Sequence, residues 1–176
     1  EGLAHQYLDS PEVEAVGVLT AKYSFPRVPH PDWSDRERTP EGIEIFRLSG
    51  FPQRSLPLYS VPLVWFPPTK IREYLEEFDP TVVHFVGDGW FWGHLWSWAW
   101  MRRRAKLVFT PSFHTLPWHR QWLRFFNVPL SHLVDKVVAL TEMEKRKLER
   151  ATGVNPVVVE IRKADVWRHR FQIGIA

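Results

Sequence analysis

Hydrophobic and polar positions alternate along this chain in two rhythms. Short β-branched and aliphatic runs are separated by stretches whose apolar residues recur every three to four positions. The first rhythm predicts buried strands and the second predicts amphipathic helices. Leu3–Leu8 reads as a short helix closed by Asp9-Ser10-Pro11, and Val13–Ala21 as a buried strand. The segment "KYSFPRVPHPDWSDRERTPEG" is polar and broken by Pro26, Pro29, Pro31 and Pro40, which predicts a long loop of functional or mobile character. Ile43–Leu48 alternates as a strand should, and after a Pro-rich connection a helix is expected around Lys70–Phe78.

The clearest stretch follows. Strand Thr81–Val86 leads to helix Trp90–Arg103 and strand Lys106–Thr110. Beyond the loop "PSFHTLP", helical pieces are expected between Trp118 and Phe126 and between Leu130 and Asp135. Strand Val137–Leu140, helix Glu142–Ala151 and strand Val157–Ile161 complete the pattern. Thr141 and Glu144 have the spacing of a capping box, the hydroxyl accepting from a first-turn N–H while the carboxylate reaches back to the cap. Strands alternating with helices at this spacing imply right-handed βαβ units and a mainly parallel α/β sheet.

Composition narrows the function classes. The 176 residues contain 44% hydrophobic and 24% charged positions, ordinary for one globular domain, but ten Trp and fifteen Pro. A formal charge of +3 is a basic lean without a basic stripe, so nucleic acid is the weakest partner class and none is expected. Without cysteine there is no disulfide framework and no thiolate zinc site, and a reducing, cytoplasmic location is compatible. No apolar run reaches the roughly 20 residues of a membrane span. The chain enters its first helix at once, as though it begins inside a structural unit.

"TVVHFVGDGWFWGHLWSW" invites comparison with a dinucleotide fingerprint, in which a strand, a glycine turn and a helix N-terminus cradle a pyrophosphate. The glycine spacing is wrong, Asp88 puts negative charge where phosphate would sit, and the next strand, ending "LVFTPS", supplies no acid for a ribose. The geometry survives without the fingerprint. In open α/β sheets ligands bind beyond the carboxyl ends of strands, where Gly87, Asp88 and Gly89 fall, as do Ser112 and His114 after the next strand and Thr141 and Glu142 after the one following. Asp88 reads equally well as a helix cap. His114, on a loop between Ser112 and Thr115, is suited to bonding a sugar hydroxyl or phosphate, whereas His84, mid-strand, reads as a satisfied core histidine. The histidines show no zinc spacing, so no metal site is expected. The Trp-rich helix is apolar on most sides, leaving a narrow polar stripe at His94 and Ser97. Core packing accounts for most of it, and an exposed remainder would suit a membrane interface or another domain.

Four segments in order, "DPTVVHFVGDG", "KLVFTPSFHTLP", "LVDKVVALTEMEKRKLERATGV" and "VVVEIRKADVWRHRF", resemble the N-terminal domain of GT-B glycosyltransferases of the GT4 family, over about Phe78 to Phe171. The resemblance implies a doubly wound, Rossmann-like domain over residues 1–165 with helices on both faces of its sheet. It also implies a C-terminal donor-binding domain and metal-independent, retaining transfer from a nucleotide-sugar to a glycan or lipid acceptor, with no other cofactor. Carried over residue by residue, His114 matches the histidine near the transferred sugar. Gly87, Asp88 and Gly89 match the loop bordering the acceptor cleft, with Ser112 beside it, and Thr141 and Glu142 match the Ser-Glu position on the cleft's donor side. A lipid acceptor would bring a peripheral membrane contact. A non-catalytic module of the same fold, binding a partner, glycan or membrane surface, is the alternative.

The chain also departs from that pattern. Arg162-Lys163 replaces Asn-Gly before Ala164-Asp165, the glycine-rich loop of the first strand is absent, and so is the Glu-x7-Glu element of the donor half. The 176-residue polypeptide alone is therefore expected to transfer little or no sugar. Residues 166–176 are expected to form an interdomain linker or, through the apolar tail "RFQIGIA", a strand completing the sheet.

Overall fold

The computed structural model describes residues 2–24, 28–49, 51–52, 64–87, 91–111 and 122–159. Helix α1 (Gly2–Leu8) is followed by strands β1 (Gly17–Ala21), β2 (Tyr23–Ser24), β3 (Val28–Pro29), β4 (Arg36–Arg38), β5 (Glu44–Leu48), β6 (Phe51–Pro52) and β7 (Val64–Trp65). Then come α2 (Pro68–Phe78), β8 (Val82–Val86), α3 (Phe91–Met101), β9 (Lys106–Thr110), α4 (Trp122–Leu133), β10 (Lys136–Ala139), α5 (Glu142–Thr152) and β11 (Val157–Val158).

The C-terminal half forms the expected parallel sheet, in the order β11-β10-β9-β8, with helices supplying the crossovers. Apolar runs become its strands because a parallel sheet is covered on both faces. Phe85 pairs with Phe109 and Val86 with Thr110, so β8 and β9 end level with each other. At the opposite ends, the Asp135 carboxylate accepts from the Leu107 N–H at 2.9 Å and from Lys106 Nζ at 3.1 Å, fixing the register of β9 against β10. The Leu107 amide, then Lys106, hold the Asp135 carboxyl below its ordinary range. A second sheet, β1-β5-β4, pairs β1 with β5 in parallel and β5 with β4 antiparallel.

One core joins the two sheets. Helix α2 begins at Pro68, where a missing N–H costs nothing, and buries Ile71, Tyr74 and Leu75 on one face. These pack with Ala21, Phe46 and Leu48 from one sheet and with Phe85, Leu107 and Phe109 from the other. Burial of each such side chain is worth about 1.5–3 kcal/mol. Tyr74 stacks on Phe46 at 4.8 Å between centroids, while its hydroxyl is buried without a partner among the described residues.

Several expectations are corrected. The proline-broken loop contains β2 and β3, paired with each other, and β4, whose exposed Arg36-Glu37-Arg38 pairs through its backbone with β5. The two helical pieces expected after residue 118 are one helix, α4, continuous through Pro129. The first strand starts at Gly17 rather than Val13, and the last ends at Val158. In α3 the polar stripe faces inward: His94 and Ser97 are 8% and 5% exposed, while Ala99 is exposed and Trp96, Trp98 and Trp100 are half-buried. The His94 ring packs against Phe85 and Phe109, and Gly93 faces Phe66 and Ile71. The tail from 166 to 176, expected as a linker or a strand, lies outside the described residues.

Candidate functional site

Because β8, β9 and β10 are adjacent and parallel, their carboxyl ends lie along one rim. Gly87 closes β8 with φ of 86°, a left-handed conformation that a side chain disfavours, and its N–H donates to Thr110 O at 2.9 Å. Thr110 and Pro111, both buried, end β9. Thr141 and Glu142 follow β10 and open α5. Of the predicted site residues, the structure thus places Gly87, Thr141 and Glu142 at strand ends on this rim. Asp88, Gly89, Ser112 and His114 lie outside the described residues.

The start of α5 is built as a capping box. Thr141 is extended and its hydroxyl accepts from the Glu144 N–H at 3.1 Å. Glu144 Oε2 in turn accepts from the Leu140 N–H at 2.9 Å, one residue before the cap rather than at the cap itself. Two orphan donors are satisfied, which fixes the angle at which the helix leaves the sheet.

Beneath the rim runs a polar chain that sequence reasoning saw only in part. The Tyr7 hydroxyl of α1 meets His84 Nδ1, and His84 Nε2 meets Thr110 Oγ1 at 2.7 Å. His84 is the satisfied core histidine expected, but Tyr7, 77 residues away, carried no local signal. Burial pushes the His84 imidazole down to about 4 and raises the Tyr7 phenol. His94 is likewise pushed down to about 4 by burial. Both histidines are neutral at pH 7 and suited to holding structure rather than to trading protons there. Among the described residues no group of three or more His, Asp or Glu is placed to hold a metal ion, and no helix is long and apolar enough to cross a membrane.

A parallel sheet flanked by helices, with polar and glycine residues along its carboxyl rim, defines a Rossmann-like α/β domain. Sequence comparison then specifies it: the model of Glycosyltransferase Family 4 matches residues 16–161, and the chain belongs to that family. Among solved structures, a sucrose-phosphate synthase from Thermosynechococcus elongatus is similar, with a TM-score of 0.58 and 13% identity over 91% of this chain and 81% of that chain. At that identity the likeness speaks for the fold. No curated protein matches the sequence.

Proposed function

We propose that this chain is the acceptor-side domain of a retaining, metal-independent glycosyltransferase that moves a sugar from a nucleotide-sugar to a glycan or lipid acceptor. Membership of Glycosyltransferase Family 4 across residues 16–161 carries this reading. The parallel rim supports it, because Gly87, Thr141 and Glu142 occupy strand ends where α/β sheets bind ligands.

In this reading the loop from Gly87 to Gly89 and Ser112 border the acceptor, and His114 orients the sugar near its leaving phosphate. Thr141 and Glu142 face a C-terminal donor-binding domain that holds the nucleotide-sugar. Catalysis is then positional and electrostatic, the diphosphate being stabilised by helix N-termini and donor-domain groups. A lipid acceptor would bring with it a peripheral membrane contact.

Saturation-transfer NMR of the 176-residue chain with simple glycans and nucleotide-sugars tests the reading. Acceptor glycans should receive saturation, and His114→Ala should weaken that signal severalfold without changing the thermal midpoint. Glycan signals equal to those of a non-sugar control would overturn the assignment.

A further inference from the structure

The outward side of α5 carries a feature the transferase reading leaves unused. Leu148 and Thr152 are buried, and Leu148 packs with Val137 and Ala139 of β10. Away from that inner side lie Met143, Arg146, Lys147 and Arg150; no basic stripe was expected from the sequence, but a helix of 3.6 residues per turn brings these three cations onto one. With Glu142 they line a surface hollow of about 330 Å³.

Among the described residues some cations are neutralised in place while others, such as Arg38, Arg103 and Lys136, are not, and what sets the stripe apart is that its three cations share one helix face. Lys22 pairs with Asp35, Arg36 with Glu77, Arg47 with Glu37 and Lys106 with Asp135. Arg146, Lys147 and Arg150 enter no ion pair among the described residues. Of the acids on the same helix, Glu142 stands at its start, Glu144 is engaged by the Leu140 amide, and Glu149 flanks the stripe. At the N-terminal end of this stripe, between Glu142 and Glu144 and one turn before Arg146 and Lys147, sits Met143, 62% exposed, the most exposed large apolar side chain among the described residues.

Three cations without ion pairs on one helix face, with an exposed apolar side chain one turn away, match a lipid headgroup region, where phosphates meet the cations and the thioether enters the acyl boundary. Single-stranded nucleic acid fits less well, because such grooves interleave cations with aromatic stacking platforms and this stripe has none. We propose that the α5 stripe docks the protein on an anionic lipid surface, with Arg146, Lys147 and Arg150 on headgroup phosphates and Met143 inserted among them. Since α5 leaves the sheet at the rim, docking holds the candidate site beside the lipid, within reach of a lipid-borne acceptor. The inference rests on the stripe and not on the transferase reading: a chain that floats with vesicles yet binds no glycan keeps one and loses the other.

Vesicle flotation of the 176-residue chain tests it. The protein should float with phosphatidylcholine vesicles containing phosphatidylglycerol, stay behind with phosphatidylcholine alone, and be released in about 0.5 M salt, where screening shortens to a few ångströms. Replacing the three cations (R146E, K147E and R150E) should lower the partition coefficient on the order of a hundredfold, at roughly fivefold per cation. The same change of formal charge, from +3 to −3, made on exposed cations elsewhere (R38E, R103E and K136E) should cost less than threefold. Met143→Ser should lower partition severalfold with its thermal midpoint unchanged, which separates docking from folding. Equal flotation with neutral and anionic vesicles, a stripe variant that floats like the parent, or a control triple that loses as much each overturns the proposal. So does stripe-dependent binding to a single-stranded oligonucleotide without flotation.

Discussion

Acid should loosen this protein through the half-buried His84 and the buried His94, and His84 allows the effect to be isolated. Its ring bridges Tyr7 and Thr110, both hydroxyls, which can rotate to accept from either protonation state. Hydrogen bonding therefore does not forbid the imidazolium. Burial does, and it lowers the folded-state value from 6.5 to about 4. In the unfolded chain the ring protonates near 6.5. Between the two values the unfolded state binds the extra proton, so the stability His84 contributes is present above pH 6.5, falls as pH drops, and levels off below about 4.

The gap of 2.5 pH units corresponds to about 3 kcal/mol, of which about 2 kcal/mol is lost between pH 7 and pH 5. His94, shifted in the same direction to about 4, adds a loss of similar size. Together they approach the 5–15 kcal/mol that holds a typical domain folded. The assay is urea unfolding at pH 7 and pH 5 for the parent and for His84→Gln. The variant starts lower, by roughly 1–3 kcal/mol for the disturbed bonds. Its stability should then fall about 2 kcal/mol less between the two pH values, close to 1 M in urea midpoint for a chain of this size. Identical pH slopes for parent and variant, or an NMR titration of the His84 ring centred at 6.5, would refute the account.

Other outcomes follow from particular contacts. Tyr74→Phe removes a buried hydroxyl with no partner among the described residues and should stabilise the protein by about 1 kcal/mol, read from the urea midpoint. A Cβ at Gly17 would lie 2.2 Å from that hydroxyl and 3.0 Å from the Phe78 ring, so Gly17→Ala should cost roughly 1–3 kcal/mol, partly recovered when combined with Tyr74→Phe. Phe109, fully buried between the sheet and its helices, should cost about 3–5 kcal/mol as Phe109→Ala. Thr141→Ala removes the α5 cap and should cost about 1 kcal/mol, with amide exchange rising at Glu144 before the rest of the helix.

Which parts of this fold were legible follows from how each was specified. Lys106–Thr110 and Val82–Val86 read plainly because parallel strands lean apolar on both faces, and that shows as β-branched and aromatic runs, although Val82 and Val86 at the sheet edge stay exposed. Strand β4 was invisible: Arg36-Glu37-Arg38 is exposed throughout and becomes a strand because β5 offers it a backbone edge. Pro129 suggested two helices, since a lost N–H normally breaks one, but Leu130 and Ser131 beyond it are buried and keep α4 in place. On α3 the sequence showed a narrow polar stripe at His94 and Ser97 without saying which way it faces, and the structure turns it inward. His94 and Ser97 are the side chains whose shape lets the helix sit on Phe85 and Phe109, leaving the bulkier tryptophans to the periphery. Of the candidate site, the glycine turn and the Thr141 cap were readable as local motifs, whereas the Tyr7–His84 contact joins residues no window spans.

The polar chain and the rim meet at Thr110, and that meeting explains how a sheet edge can stay firm while the loops leaving it differ. Its side chain holds His84, and its carbonyl accepts from Gly87, so the end of β8 is tied to the end of β9 through both side chain and backbone. The Asp135 carboxylate ties the opposite end of β9 to β10 in the same manner. Strand β9 is thereby pinned at both ends, to β8 at one and to β10 at the other, by groups that are neutral or paired at pH 7. Loops leaving such an edge can differ in sequence while their starting points stay fixed to within a hydrogen bond's tolerance, which is what positional catalysis requires of a scaffold. Loosening this edge, by protonating His84 or removing the Thr110 hydroxyl, should therefore move every loop that starts from it together.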